Sequence, residues 1–306
     1  MIMGNETGKR AHQLFNSGWY CAESAFRALA EAGGRYRGDL QSIASGMCSG
    51  MSRTSGLCGA VSGSIMGIGL YAGRTKPSPD QEMDFPYALT QELLERFRER
   101  WGTTNCSKLT GCDFASPEGQ RKFNQENIGQ KCRDITDFAA SVAADILRRE
   151  GFALEDISRR EQIKRHIAPC GLNCGKCLAF GGGEIQRLSR ELGERLGPNF
   201  HAYADRLSAM NPVLEKYGAF RELLDYFASG ECSGCRGKGC LFKACKVPAC
   251  AAEHQVDFCY ECGEFPCERH GMSGSLAERW QKNNEIMREK GLEAFYVLSA
   301  DKPRYP

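Results

Sequence analysis

Residues 46–69 read GMCSGMSRTSGLCGAVSGSIMGIG, and the second half of this stretch decides how the first half of the chain folds. It has the pattern of a helix in which Gly59, Gly63 and Gly67 fall four apart. Residues at that spacing stack on one face. With Ala60 and Ser64 beside them, the glycines leave the face almost without side chains. Each glycine costs about 1 kcal/mol against alanine inside a helix, so three in register imply a compensating close approach by another helix or a cofactor. Ser55 and Gly56 precede the helix as cap residues, which places Cys58 in its first turn. The unpaired N–H groups and the dipole there favour thiolate over thiol. The plainer reading is a small cysteine filling a tight helix crossing, since free cysteine is among the most buried residue types.

Working outward, short helices are expected over residues 8–16, Trp19–Ala32 and Asp39–Cys48, the second with Ala22, Phe26, Leu29 and Ala30 on its apolar side. Ser78 to Pro86 reads as a turn-rich connection, and Tyr87–Trp101 as an amphipathic helix. Ser116, Pro117 and Glu118 open a further helix by cap, proline and acid. The last helix of this half runs over Cys132–Arg149, with Ile135, Phe138, Ala139, Val142, Ala143 and Ile146 as its buried stripe. Cys21, Cys58 and Cys132 are thus each expected within a turn of a helix start, and Cys106 in a loop leading towards one. Core cysteines have no reason to prefer helix starts, so the pattern points to a shared thiol site.

These segments also carry a resemblance. YCAES, GMSRTSGLCGAVSGSIMGIGL, NCSKLTGCD and the cysteine opening the final helix resemble, over residues 7–150, the redox-active C_GCAxxG_C_C family. Its four named cysteines fall on Cys21, Cys58, Cys106 and Cys132, which the resemblance implies are the catalytic thiols. Cys48 and Cys112 are additional to that pattern. Glu23 and Arg53 lie in the same segments, and Arg53 offers a positive charge to a thiolate.

The chain has 306 residues, enough for two domains with separate cores. Lys and Arg number 40 against 38 Asp and Glu, a net charge of +2 that gives no field implying nucleic acid. The start, MIMGNETGKRAHQLF, has no apolar signal segment, and no run reaches the ~20 apolar residues of a membrane span. A cytoplasmic protein is the expectation. Its 17 cysteines, six before residue 150 and eleven after 169, then suggest metal or redox chemistry more than disulfides.

Residues 151–168 are charged and poor in large apolar side chains, and are expected to link domains at 1–150 and 169–306, with a short helix near 155–165. The second half opens on CGLNCGKC, with Cys170, Cys174 and Cys177. Polar amphipathic helices follow near 184–196, 200–209 and 213–228, whose apolar faces carry Leu188, Leu192, Leu196, Leu214, Tyr217, Phe220, Leu224 and Phe227. Then come CSGCRGKGC, CKVPAC and CYECGEFPC, with Cys232, Cys235, Cys240, Cys245, Cys250, Cys259, Cys262 and Cys267. Three pairs, Cys174/Cys177, Cys232/Cys235 and Cys259/Cys262, have CxxC spacing, which aims two sulfurs at one ion and backbone N–H groups at the sulfurs. All eleven are candidate metal ligands. Eight would complete two four-thiolate sites, and the spacing leaves the pairing open. Zinc is favoured over an iron–sulfur cluster because dispersed CxxC turns are typical of structural zinc, though thiolate suits both. The CxxxCxxC spacing of CGLNCGKC also fits a radical-SAM cluster, but that chemistry needs alternating strands and helices. CGLNCGKC, ECSGCRG, CKVPAC, CGEFPCE and the GLEAFY end further resemble, over residues 166–297, the cysteine-rich domain of unknown function 3795, which implies metal binding.

The expectation is therefore an all-α chain: an N-terminal helical bundle joined to a small helical, cysteine-rich, metal-stabilised domain. Its function is read as thiol-based redox chemistry, possible thiol–disulfide oxidoreduction, with a zinc-binding C-terminal domain and a protein partner or redox donor. The rivals are a non-catalytic iron–sulfur or metal binder and a zinc-stabilised interaction adaptor.

Overall fold

The computed structural model describes residues 4–77, 81–237 and 240–305, and these contain helices and turns with no strand among them. The chain divides into two compact units, Met1–Arg159 and Arg160–Pro306.

In the first unit, α1 (Glu6–Asn16) and α2 (Cys21–Ala32) are followed by the short α3 (Gly38–Gln41), a 3-10 turn (Ser42–Met47) and α4 (Cys48–Arg53). Next come α5 (Gly59–Ala72), α6 (Gln81–Trp101), α7 (Cys106–Thr110), α8 (Pro117–Gln125) and α9 (Ile128–Arg149). The glycine face of α5 is what seats it against α2. A Cβ on Gly63 would stand 2.3 Å from the Ala22 carbonyl oxygen, and one on Gly67 would stand 2.3 Å from Leu29 Cδ1. The expected close partner of the stripe is therefore another helix. Small residues on α1, α2 and α9 allow the same closeness, with Ala11, Ala25, Ala28 and Ala140 in one buried cluster. Larger side chains, among them Leu29, Ile68, Leu93, Val142 and Ile146, fill the main core. The stripe expected on the last helix is buried at Ile135, Ala139, Val142, Ala143 and Ile146. Phe138 packs at its edge.

Several boundaries differ from expectation for physical reasons. α6 reaches back to Gln81, so residues 81–86 are helical; Pro86, sixth in the helix, forgoes one backbone hydrogen bond there. The rest of the expected connection, 78–80, lies outside the described residues. Ser116 caps α8 as expected, accepting from the Gly119 N–H at 3.0 Å. α9 starts at Ile128 behind Asn127, which holds a left-handed backbone (φ 50°). Cys132 consequently sits in the second turn of α9. Within the stretch expected as linker, Phe152 and Leu154 pack into the first unit's main core.

The polar side of α2 is also buried. Glu31 accepts from Arg10 at 2.7 Å and from Arg27 at 2.8 Å, with Arg159 at 3.5 Å. Its side chain is 3% exposed.

The second unit carries α10 (Arg159–His166), α11 (Glu184–Leu196), α12 (Phe200–Ser208), α13 (Tyr217–Ser229), α14 (Val247–Glu253), α15 (Gly274–Lys290) and α16 (Leu292–Ala300). Two CxxC segments form 3-10 turns at Cys174–Lys176 and Cys259–Glu261. α11 and α13 pair, but of their expected apolar faces Leu224 is buried while Leu188, Leu192 and Phe220 are exposed. The packed centre lies elsewhere, around Trp280, Phe265, Val247 and Met272 with the cysteine turns against them. Asn284, fully buried, ties this centre together. Its Nδ2 donates to the Cys170 and Trp280 carbonyls, and its Oδ1 accepts from the Tyr260 N–H at 3.0 Å.

Candidate functional site

The first unit gathers its thiols at one end of the α2, α5 and α9 bundle. The chain after α6 returns to the start of α5, where the Cys58 N–H donates to the Thr104 carbonyl at 2.8 Å and the Cys106 N–H to the Gly56 carbonyl at 2.9 Å. Asn105 strengthens the crossing, its side chain donating to the Ser55 carbonyl at 2.5 Å while its Oδ1 caps α7 at the Lys108 N–H. Cys58 and Cys106 are thereby fixed on neighbouring backbone. Cys58 is itself the N-cap residue of α5, a role expected of Ser55 and Gly56. Cys106 is the first residue of α7, and Cys21 is the first residue of α2. The Tyr20 N–H ahead of α2 donates to Glu23 Oε2 at 2.8 Å, and Glu23 Oε1 accepts from Ser45 Oγ at 2.6 Å. Glu23 is therefore a capping residue that also anchors the segment before Cys48.

Two glycines make room for two of the sulfurs. A Cβ on Gly59 would lie 2.3 Å from Cys21 Sγ, and one on Gly50 would lie 2.6 Å from Cys106 Cβ. Gly50 sits in α4, where Ser49, Gly50, Met51, Ser52 and Arg53 all have φ between 53° and 68°. This is a single turn of left-handed helix, a conformation that L-residues other than glycine rarely hold in succession. It forms one wall of a cavity of about 600 Å³. Cys21, Cys48, Cys58, Cys106 and Cys132 all line that cavity, together with Arg53. The four cysteines singled out in the sequence thus come together, with Cys48 as a fifth. The signal that marks Cys48 is its position seven residues ahead of Ser55 in the tight Ser55–Gly56 turn, in the same glycine-rich stretch. Cys112 is buried at Thr110, outside the lining of the cavity.

The electrostatics oppose the simple helix-dipole expectation. Burial pushes the Cys58 thiol up to about 12, with the Cys106 charge adding to it and the Ala60 and Val61 N–H groups acting against it. Burial likewise raises Cys132 to about 12, aided by Cys58, Cys106 and Cys112, and Cys106 to about 11, aided by Cys112. Desolvation in a cluster of like groups outweighs the helix end. Cys48 is also raised, first by its hydrogen bond with Cys21 and then by burial. The Cys48 thiol donates to the Ala44 carbonyl at 3.7 Å, and Cys21 is half-buried where Cys48 is closed off.

In the second unit, the backbone N–H groups of Gly234 and Phe242 point at the sulfurs of Cys232 and Cys240, at 3.4 and 3.5 Å. Cys174, Cys235, Cys245, Cys259, Cys262 and Cys267 pack around the core that contains Cys170, and Cys177 meets the Tyr305 hydroxyl at 3.4 Å. A soft thiolate set in an apolar shell is the donor chemistry that zinc takes. Among the described residues, no three His, Cys, Asp or Glu side chains already converge as metal ligands. All seventeen cysteines are free thiols.

Residues 19–146 match the family model described as "Putative redox-active protein (C_GCAxxG_C_C)", and residues 166–272 match the model described as "Protein of unknown function (DUF3795)". An uncharacterized protein of Archaeoglobus fulgidus is 31% identical over 148 residues, covering 46% of this chain and 92% of that protein. No solved structure matches the chain. Among the described residues, no helix is long and apolar enough to cross a membrane.

Proposed function

Because the chain belongs to the C_GCAxxG_C_C redox family in its first unit and carries a DUF3795 domain in its second, we propose that the first unit performs thiol–disulfide exchange in the cavity lined by Cys21, Cys48, Cys58, Cys106 and Cys132. The observation that carries this reading is the convergence of five thiols on one cavity of about 600 Å³, a volume suited to a small disulfide or a side-chain loop.

Cys21 is the attacking sulfur in this reading, since it is half-buried at the first position of a twelve-residue helix. Its thiolate attacks one sulfur of a substrate disulfide, forming a Cys21 mixed disulfide and releasing the other half as a thiolate. Cys48, which lines the same cavity as Cys21, then loses its proton and attacks the Cys21 sulfur. A Cys21–Cys48 disulfide forms and the second half of the substrate leaves as thiolate. The substrate gains two electrons and the protein dithiol loses them; a reducing dithiol partner restores the enzyme. Cys58, Cys106 and Cys132 stay protonated and shape the cavity.

The second unit is read as a module stabilised by zinc, held by a subset of Cys170, Cys174, Cys177, Cys232, Cys235, Cys240, Cys245, Cys250, Cys259, Cys262 and Cys267. Zinc bound there would cross-link the cysteine segments that pack around the Trp280 and Phe265 centre. Seventeen free thiols suit the reducing cytoplasm. The cavity volume supports one second reading, in which the same first-unit cysteines hold an iron–sulfur cluster.

Stoichiometric treatment of reduced full-length protein with a small-molecule disulfide tests the proposal by peptide mapping. The wild type should yield a Cys21–Cys48 disulfide, and C48S should stop at a mixed disulfide on Cys21. A C21S protein that consumes the disulfide as fast as the wild type would remove Cys21 from this role. Iron and visible absorption in anaerobically purified protein would favour the cluster.

A further inference from the structure

Beyond the general reading of the second unit as zinc-stabilised, on which this rests, the structure assigns one ligand set: we propose that Cys250, Cys259, Cys262 and Cys267 bind a single metal ion, with the Trp280 indole hydrogen-bonded to the Cys259 thiolate. The four sulfurs line one cavity of about 20 Å³. A space of this size accepts about one water-sized occupant, which fits one ion and is too small for an iron–sulfur cluster. The four residues reach it from three pieces of chain: Cys250 from α14, Cys259 and Cys262 from the 3-10 turn and its end, and Cys267 from the segment before α15. The turn presents its pair in the usual manner of a CxxC, closed by the Cys262 N–H to the Cys259 carbonyl at 3.1 Å.

One observation points to a ligand, and a second bears on which side chains supply it. The indole N–H of Trp280 is buried without a hydrogen-bond partner, and Trp280 is only 3% exposed. The acceptor within its reach is the Cys259 sulfur. A donor left unpaired in a core is costly, and the side chain it packs beside is one of the four cysteines that line the cavity. Secondly, His254 lines the same cavity but is held otherwise. Its Nδ1 lies 2.9 Å from the Cys250 carbonyl and 3.7 Å from the Cys250 sulfur, and its Nε2 lies 3.6 Å from Glu264. The ligand set is therefore four cysteines, and the other seven cysteines of this unit serve elsewhere.

Zinc and cobalt are the probes, used on reduced full-length protein. With zinc loaded, alkylation followed by peptide mapping should find Cys250, Cys259, Cys262 and Cys267 protected as a block, and chelation should expose all four together. This measurement needs no variant to fold. Cobalt titration should give the absorption of a four-thiolate site, with one equivalent lost in C250S and retained in C232S. W280F should keep the stoichiometry, shift the sulfur-to-cobalt charge-transfer band and weaken metal binding about 10- to 100-fold. Zinc-loaded protein in which any of the four alkylates while the metal is retained would overturn this ligand set and leave the zinc reading standing. A full chain that takes up neither metal would overturn both.

Discussion

A Cβ placed on Gly63 would stand 2.3 Å from the backbone carbonyl oxygen of Ala22, with the Ala22 Cα only 2.8 Å away. Both partners are backbone or nearly so, and neither can move aside without separating α2 from α5. G63A should therefore destabilise the first unit by about 1 to 3 kcal/mol through overpacking, even though alanine is the better helix former. Gly69 lies in the same helix with nothing within 4 Å of its missing Cβ, so G69A should stabilise by about 0.5 to 1 kcal/mol. Paired urea titrations check both signs. A neutral G63A would mean that the helices are not held at this distance.

Removing Glu31 leaves Arg10 and Arg27 buried without their shared carboxylate. E31A should cost about 3 to 5 kcal/mol, the range for breaking a buried pair by deleting one partner. Burial alone would raise the Glu31 pKa, but the charges of Arg159, Arg10 and Arg27 outweigh it and the net shift is downward. A lowered carboxylate contributes stability that is present above its ordinary value of 4.5 and is lost as pH falls through its folded value. Wild-type melting temperature should thus fall on acidification below that point, and the E31Q protein should show a smaller acid dependence.

Cys58 and Cys132, raised to about 12 from an ordinary 9.0, should alkylate far more slowly at pH 8 than the same cysteines in the unfolded chain. The unfolded chain ionises first as pH rises. The stability these thiols contribute is complete below about pH 9 and is lost as pH climbs towards 12. Thermal melts between pH 8 and 11 should show this decline, shallower in C58A. Rapid labelling of Cys58 at pH 7 would refute the account of its burial.

Stripping metal from the full chain with a strong chelator should lower or abolish the unfolding transition of the second unit while leaving that of the first unit in place. Structural zinc contributes about 10 to 16 kcal/mol of apparent binding free energy in small peptides. Calorimetry before and after chelation reads both transitions. Two unchanged transitions would exclude a structural metal.

Asn284→Leu strands the Tyr260 N–H and the Cys170 carbonyl, both satisfied by its amide. A loss of about 1 to 3 kcal/mol for each stranded buried group is expected, read as a lowered second transition. An unchanged transition would show that water replaces the amide.

The all-α architecture was legible because its helices repeat strongly. The glycine spacing in α5 and the apolar stripe of α9 leave few alternatives, and the family models match residues 19–146 and 166–272, which hold the cysteine motifs that suggested them but not the GLEAFY end. The gathering of Cys21, Cys58 and Cys106 was legible through their shared placement near helix starts. Their protonation was not, because a dipole is visible in a sequence while desolvation depends on what packs around the sulfur. Cys132 misled for a similar reason: Asn127 in a left-handed conformation starts α9 a turn earlier than its apolar stripe does. Nothing local marked Glu31 as buried: Arg27 lies one helical turn before it, but Arg10 and Arg159 are distant in sequence. The packing of Trp280 against Cys259 was equally hidden, being a meeting of α15 with a turn some twenty residues earlier.

The left-handed turn at Ser49–Arg53 has a kinetic consequence. At roughly 1 to 2 kcal/mol for each of its four non-glycine residues, this wall holds about 4 to 8 kcal/mol that local unfolding would release. Segments with that handicap sit at the low end of the range of opening free energies. Amide hydrogen exchange should therefore be fastest here within the bundle, well ahead of α2 and α9, and glycine at Ser49 or Ser52 should slow it. The cavity would then admit partners larger than its closed volume by brief melting of one wall, with the helices that carry Cys21 and Cys132 standing still.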